Sequence, residues 1–222
     1  MKVTWLGQAG LLFRTEKTTL LVDPYFTDSA AEIAVPRKMP VDPNLWEIKP
    51  DLLLCTHVHI DHYDPDTVKH FVNEATEVTV LSPASVWEKI RGFGGKNNYV
   101  RVAPGVIWTH EDVEVEVVPA VHSDDFAVGF VIRHAGKNYY VTGDTLYSKD
   151  VVWAIPEDVD VVFLPINGKG NNMNATDAAK FAAEIGAKLA IPVHFGMLDD
   201  VDPKCFVYEN ALIPEIYKET NL

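Results

Sequence analysis

The sequence predicts an α+β fold arranged as a four-layer αβ/βα sandwich, in which two mixed sheets pack face to face beneath outer helices. Three observations favour this class. Strand-like runs and helix-like segments recur in both halves of the chain, roughly 1–105 and 106–222. Runs such as 51–56 and 189–193 are mostly apolar, which is typical of buried central strands. The 222 residues are 47% hydrophobic, enough for one substantial core, so we expect one domain over 1–222.

The first half combines short strands with two helices. Strands are expected at 2–6, 10–14, 18–22, 51–56 and 78–81. Asp64-Pro65 marks a helix start, because Asp caps helix N-termini and Pro fits the first turn. A short helix is expected at 83–91. The Pro-rich connection 27–50 is too long for a turn, and is either a lid or mouth element of a site or an ordinary surface loop.

The second half repeats the alternation of strands and helices. Strands are expected at 113–118, 127–133, 138–142, 159–166 and 189–193. The clearest helix covers 174–187, with Asn174 as its N-cap and Gly186 near its end. The polar tail is expected to end near the surface.

Composition excludes several classes of function. The net charge is −13, and no run of Lys and Arg offers phosphates a binding surface, so we expect no nucleic-acid partner. No run approaches the roughly 18 apolar residues of a membrane span. Cys55 and Cys205 are too few for a disulfide framework, and the N-terminus lacks the apolar stretch of a signal peptide. We therefore expect a cytoplasmic protein.

The segment 56–62, Thr-His-Val-His-Ile-Asp-His, is the strongest functional signal. It follows an apolar strand directly and offers four potential metal ligands within six residues. Alternate side chains of such a turn can point into one cavity. Imidazole and carboxylate groups suit Zn²⁺, Mn²⁺ or Fe, so the segment predicts a metal centre rather than scattered structural histidines.

This HxHxDH pattern resembles the signature of the metallo-β-lactamase superfamily. Later positions match too, each after a predicted strand: His122 in Pro-Ala-Val-His, Asp144 in Thr-Gly-Asp and His194 in Ile-Pro-Val-His. Within the superfamily, the chain is similar to the branch that includes L-ascorbate-6-phosphate lactonase and related predicted metal-dependent hydrolases. Segments 7–10, 22–24, 164–167 and 171–173 carry that similarity. The chain is shorter than the lactonases.

The resemblance implies a site for one or two divalent ions, Zn²⁺ or Mn²⁺ ahead of Fe or Ni. One ion would take His57, His59 and His122, and the other Asp61, His62 and His194, with Asp144 as the bridge. Each ion would keep an open position, as catalytic sites do. A metal-bound hydroxide would be the nucleophile, and Asp61 is also the candidate catalytic proton acceptor or orienting group.

Other residues are expected around this centre. Asp23 ends an early strand and is either a hydrogen-bond acceptor for a ligand histidine or a turn residue before Pro24. The Gly- and Asn-rich segment 167–172 is either a substrate-binding loop or a plain connection. Substrate-binding candidates are Asn167, Lys169, Asn171, Asn172 and Arg37, the last in a loop able to close over the site.

The function predicted first is hydrolysis of an ester, lactone or phosphodiester bond in a small, anionic substrate. The alternative is an iron-dependent oxidoreductase such as a persulfide dioxygenase, and a third interpretation is a binding module without activity. The complete set of seven ligands argues against the third. A small-molecule substrate is the expected partner, with neither a membrane nor a nucleic acid, and the sequence leaves room for a homo-oligomer.

Overall fold

Two mixed β-sheets and four α-helices make up the fold in a computed structural model that describes residues 1–155 and 158–222. The first sheet contains β1 (Lys2–Gly7), β2 (Gly10–Arg14), β3 (Thr19–Val22), β4 (Leu52–Leu54), β5 (Thr79–Ser82), β6 (Asn98–Arg101) and β13 (Glu219–Asn221). The second contains β7 (Ile107–His110), β8 (Val113–Pro119), β9 (Val128–His134), β10 (Lys137–Val141), β11 (Val161–Pro165) and β12 (Leu189–Val193). The helices are α1 (Pro65–Phe71), α2 (Ala84–Ile90), α3 (Lys149–Ala154) and α4 (Ala175–Glu184).

Each sheet has an antiparallel part and a parallel part. The first has the order β13-β1-β2-β3-β4-β5-β6, with parallel pairing from β3 to β6. The second has the order β12-β11-β10-β9-β8-β7, with parallel pairing from β10 to β12. Strands β8 and β10 run in the same direction because both are antiparallel to β9. The carboxyl ends of β8, β10, β11 and β12 therefore lie along one edge of the second sheet.

The main core lies between the two sheets. Phe13 on β2 packs edge-on against Phe163 on β11, with ring centroids 5.5 Å apart. A second apolar cluster lies on the other face of the first sheet and includes Val68 and Phe71 of α1. Helix α4 covers the outer face of the second sheet, where Phe181 is fully buried. These layers confirm the predicted four-layer sandwich.

The two predicted helix starts differ in how they are capped. Asn174 accepts hydrogen bonds from the backbone N–H groups of Thr176 and Asp177, so the predicted cap of α4 is confirmed. Asp64 holds the N-cap position of α1, but its side chain caps no helical N–H. Its carboxylate instead accepts hydrogen bonds from the hydroxyls of Thr27 and Thr67, which ties the start of the 27–50 connection to the helix.

Several elements were not predicted from the sequence. Strands β6 and β7 are short edge strands without a continuous apolar face, and α3 has only six residues. The tail does not simply end at the surface, because β13 pairs with β1. The 27–50 connection contains two 3-10 helices, Ser29–Ile33 and Pro43–Glu47. Among the described helices, none has the length and apolar character needed to cross a bilayer.

Candidate metal centre

Each candidate ligand lies just beyond the carboxyl end of a strand. The 57–62 segment follows β4, His122 follows β8, Asp144 follows β10 and His194 follows β12. Asp23 follows β3, the neighbour of β4. The directions of these strands place their carboxyl ends together. Ligand side chains separated by up to 137 residues in the sequence therefore meet at one site.

Three imidazoles form the first ligand group. Nδ1 of His59 lies 3.1 Å from Nε2 of His57 and 3.0 Å from Nε2 of His122. Ligands held about 2.1 Å from one tetrahedral ion lie roughly 3.4 Å from one another, so these spacings are close to those of a metal-binding trio. Hydrogen bonds cannot account for both contacts of His59 Nδ1, because a ring nitrogen of a neutral imidazole carries either one hydrogen or one lone pair.

Two imidazoles and one carboxylate form the second ligand group. Nε2 of His194 lies 3.2 Å from Oδ2 of Asp61, and Nε2 of His62 lies 3.9 Å from the same oxygen. The three ligand atoms lie within 4.8 Å of one another. This group carries a negative charge that the three-imidazole group lacks.

Asp144 contacts both groups. Its Oδ1 lies 3.2 Å from Nε2 of His62, and its Oδ2 lies 3.3 Å from Nε2 of His194 and 3.9 Å from Nε2 of His122. Asp144 is 5% exposed, so its charge is poorly solvated and needs a cationic partner. This position between the two groups is the one that the resemblance implies for a bridging carboxylate.

The donor set fits one or two divalent ions. Nε2 of His62 and Oδ1 of Asp144 are buried, and neither has a hydrogen-bond partner among the described residues despite their 3.2 Å separation. Buried polar atoms without partners are costly, and a shared cation would satisfy both. The ligands are all nitrogen and oxygen, which suits Zn²⁺, Mn²⁺ or Fe. The residues present therefore match the group that the sequence implies.

Asp23 orients the histidines of the motif. Its Oδ2 lies 2.7 Å from Nδ1 of His62 and accepts a 2.6 Å hydrogen bond from the hydroxyl of Thr56. The Thr56 oxygen in turn lies 3.0 Å from Nδ1 of His57. With protons on both Nδ1 atoms, Nε2 of His57 and of His62 keeps its lone pair for a metal. Gly143 allows the backbone to pack closely against Thr56, since a Cβ at position 143 would lie 2.8 Å from Cβ of Thr56.

Electrostatics differ between the two groups. Burial is the main cause of the lowered pKa values of His57 and His122, which keep these rings neutral. Burial also opposes charge on His62 and His194, but the nearby carboxylates, Asp144 first, outweigh it and raise both pKa values, that of His194 to about 10. The negative charge that favours protons on these two rings also favours a divalent cation.

A cavity of about 480 Å³ opens over the centre, and Asp61, Asp144, His59 and His194 form part of its lining. One side is aliphatic and includes Ile33 and Val35 of the 27–50 connection. The connection therefore forms one wall of the cavity. The remaining polar lining comes from both sheets and contains Gln8, Ser123, Asn167, Lys169, Asn171, Asn172 and Asp199.

Four of the five substrate-binding candidates from the sequence line this cavity, and Arg37 does not. The expectation that Arg37 closes over the site is corrected by its contacts. Its Nη1 donates a 2.6 Å hydrogen bond to the backbone oxygen of Tyr25, and its guanidinium lies 4.8 Å from the centre of the Tyr25 ring. The side chain thus packs on Tyr25, which precedes the 27–50 connection, and does not line the cavity over the metal centre.

Sequence reasoning missed Gln8 and Asp124. Gln8 Nε2 lies 2.8 Å from Oδ2 of Asp61, and the backbone oxygen of Gln8 accepts a hydrogen bond from the N–H of His194. Asp124 accepts hydrogen bonds from the N–H of Val58 and the hydroxyl of Ser85, which fixes the turn between two ligands. Gln8 lies in the segment 7–10, which contributed to the resemblance to the lactonase-containing branch of the superfamily. That resemblance did not indicate a role for Gln8 at the metal centre.

Three residues at the site have a strained backbone conformation. Gln8, Asp23 and His194 have φ values of 48°, 43° and 58°, in the left-handed region that residues other than Gly rarely adopt. Such conformations persist where the surrounding structure over-determines them, often at functional sites. Here the three residues are adjacent to one another or to the ligands, and each is buried.

Comparison with known proteins agrees with this geometry. Residues 18–195 match the family model for the beta-lactamase superfamily domain. A UPF0173 metal-dependent hydrolase of Thermoplasma acidophilum is 30% identical over 234 residues, which cover 98% of this chain and 97% of that protein. The matched segment contains all seven candidate ligands.

Solved structures show the same fold at low sequence identity. Igni18, a metallo hydrolase from Ignicoccus hospitalis, superimposes with a TM-score of 0.79 at 20% identity, covering 99% of this chain and 97% of that one. A diiron beta-hydroxylase from Streptomyces venezuelae gives a TM-score of 0.74 at 17% identity, covering 100% of this chain but 54% of that one. From the family match, the relative and the shared fold together, the chain belongs to the metallo-β-lactamase superfamily, among its UPF0173 metal-dependent hydrolases.

Proposed function

We propose that this protein hydrolyses an ester, lactone or phosphodiester bond in a small anionic substrate, using one or two divalent ions, Zn²⁺ or Mn²⁺ ahead of Fe or Ni. The observation that carries the proposal is the convergence of seven nitrogen and oxygen ligands beneath an open cavity. His57, His59 and His122 would hold one ion, and Asp61, His62 and His194 the other, with Asp144 between them. When bound, such ions polarise the scissile carbonyl or phosphoryl oxygen and lower the pKa of a coordinated water.

The protein's own residues position the reactants and the proton. Asp61 lines the cavity, and its pKa is lowered because the neighbouring histidines outweigh the effect of burial, so it is ionised and able to accept a hydrogen bond from the attacking water and orient it. Asp23 and Thr56 hold the imidazoles of His57 and His62 in the ligand-competent tautomer. The aliphatic wall excludes water from one side of the bond to be broken.

Lys169 supports the anionic character of the substrate. It lines the cavity and is the one Lys or Arg side chain among the described lining residues. The N-terminus of α4 adds little to this preference, because the side chain of Asn174 already accepts hydrogen bonds from the N–H groups of Thr176 and Asp177. Asp199 also lines the cavity. Lys169 must therefore attract an anion despite the negative charge of this carboxylate.

A metal-dependence assay tests the proposed reaction. Metal-free protein, reloaded with Zn²⁺, Mn²⁺ or Fe²⁺ in turn, is assayed on a panel of lactones, carboxylic esters and phosphodiesters. We expect activity only in the loaded forms, and label from ¹⁸O-water in the product after one turnover, since a water is the nucleophile. A trapped acyl- or phosphoryl-enzyme would contradict the mechanism, and protein that takes up no metal would contradict the function.

The anionic preference has its own test. A phosphorylated substrate is compared with its neutral analogue in the wild type, in Lys169→Ala and in Lys188→Ala, whose side chain pairs with Asp160 away from the cavity. We expect kcat/KM for the charged substrate alone to fall about tenfold in Lys169→Ala, the size of one charge-assisted hydrogen bond. Equal turnover of both substrates, unchanged in Lys169→Ala, would rule out an anion site there.

Iron-dependent oxidation is the second candidate. The ligand set contains no sulfur and suits iron as well as zinc, so the ligands alone do not separate the two reactions. Metal analysis of protein purified from its native host decides between them. Iron together with substrate-dependent oxygen consumption would favour the oxidoreductase, and zinc or manganese with hydrolysis favours the proposal.

A further inference from the structure

Two buried amide side chains flank the second ligand group. Gln8 lies in the turn between β1 and β2 and is 1% exposed, whereas Asn172 lies in the loop after β11 and is 6% exposed. Gln8 Nε2 lies 2.8 Å from Oδ2 of Asp61, and Asn172 Nδ2 lies 2.8 Å from Oδ2 of Asp144. His194 Nε2 lies between these two carboxylate oxygens.

The carboxylates determine which way each amide faces. A carboxylate accepts hydrogen bonds and donates none, so it must face the NH₂ end of each amide. The carbonyl oxygens therefore point away from Asp61 and Asp144. Both oxygens, Oε1 of Gln8 and Oδ1 of Asn172, are buried and have no hydrogen-bond partner among the described residues.

Both side chains also line the cavity over the metal centre. Two acceptors that are fixed in direction, buried and unpartnered are costly unless a ligand or water supplies donors. The two amide oxygens lie beside the carboxylates that would bind the metal. We therefore expect the matching hydrogen-bond donor on the part of the ligand next to the reacting bond. The aliphatic wall that contains Ile33 and Val35 faces the rest of the ligand.

We propose that Gln8 and Asn172 form a specificity site for a hydrogen-bond donor of the substrate, which rests on the metal-dependent function proposed above. The substrate class is then an ester, lactone or phosphodiester that carries an O–H or N–H group beside the scissile bond. A site with fixed acceptors rejects an analogue that lacks the donor, because the acceptors stay unpaired when that analogue binds.

Two hydroxamates provide a matched pair of probes. Acetohydroxamate chelates a metal through two oxygens and carries an adjacent N–H, whereas N-methylacetohydroxamate chelates in the same way but has a methyl group in place of that hydrogen. The measured quantity is the ratio of their dissociation constants in zinc-loaded protein. A change in metal affinity or in the chelate alters both constants alike, so the ratio reports the N–H contact and the space for the methyl group, which variants of similar shape without the acceptors separate.

The wild type should bind acetohydroxamate about five- to tenfold more tightly than the N-methyl compound, the preference expected from one hydrogen bond. Gln8→Met and Asn172→Leu keep the shapes of the side chains but remove the acceptors, and each should reduce the ratio. Asn210→Ala removes an exposed amide that does not line the cavity, and should leave the ratio unchanged.

The outcomes separate this inference from the proposed function. Protein that takes up no zinc by elemental analysis overturns both. Zinc uptake with a ratio near one in the wild type, or a preference that survives both Gln8→Met and Asn172→Leu, overturns the specificity site and leaves hydrolysis standing. A preference lost in Asn172→Leu and kept in Asn210→Ala supports the site even where Gln8→Met does not fold.

Discussion

The two halves of the chain contribute to the metal centre in opposite ways. The first half supplies four ligands from one six-residue segment after β4. The second half supplies three, His122, Asp144 and His194, each from the end of a different strand. A local turn therefore sets the spacing of the first set, whereas the register of a whole sheet sets the spacing of the second. The difference predicts which substitutions disturb one ion, both ions or neither.

Asp144→Asn should have the largest effect. Asp144 contacts histidines of both ligand groups, so loss of its charge weakens both sites and removes a carboxylate that lies 3.2 Å from His62 and 3.3 Å from His194. We expect kcat/KM to fall more than about 100-fold, beyond the range for residues outside the ligand set, with a matching loss of bound metal. Retention of two ions per chain by elemental analysis would show that Asp144 is not shared.

Single-histidine variants test whether the groups are separate. In protein loaded with two ions, His59→Ala should release the ion of the three-imidazole group, and His194→Ala should release the other. Each variant should therefore bind about one ion per chain, measured by calorimetric titration with Zn²⁺. Loss of both ions from either variant would show that the groups act as one site. His110→Ala, outside the centre, is the control and should bind as the wild type does.

Asp23→Asn tests whether the local turn alone orients the ligands of the first half. Asp23 comes from β3, and its carboxylate reaches both His62 and Thr56 of the ligand segment. The amide no longer favours the Nδ1–H tautomer, so metal affinity should fall about 10- to 100-fold. Competition with a chelator measures the change. An unchanged affinity would mean that the local turn alone orients these ligands.

Asn174→Ala should have the smallest effect, because it removes the cap of α4 and leaves the ligands in place. The free energy of unfolding should fall by about 1 kcal/mol. Chemical denaturation measures this change, and chelator competition should show an unchanged metal affinity. A large fall in metal affinity would mean that α4 helps to position the ligands after β10 and β12.

Sequence reasoning found the ligand positions more readily than the residues that hold them. His57, His59, Asp61 and His62 stand close together in the chain, and the other three each follow a recognisable apolar strand. Gln8 and Asp124 carry no such pattern, because their roles come from hydrogen bonds to residues far away in sequence. Arg37 was misplaced because loop composition does not say which carbonyl oxygens a guanidinium will reach.

The sequence by itself determined the layer order, the main strands and the types of metal ligand, because apolar periodicity and residue chemistry are local properties. Only the tertiary structure decided that β13 returns to β1, that Asp124 accepts hydrogen bonds from Val58 and Ser85, and that Gln8 and Asn172 turn their carbonyl oxygens away from the ligand carboxylates. Those outcomes depend on distances between strand ends and on the competition of buried polar groups for partners. Neither quantity exists until the two sheets have packed.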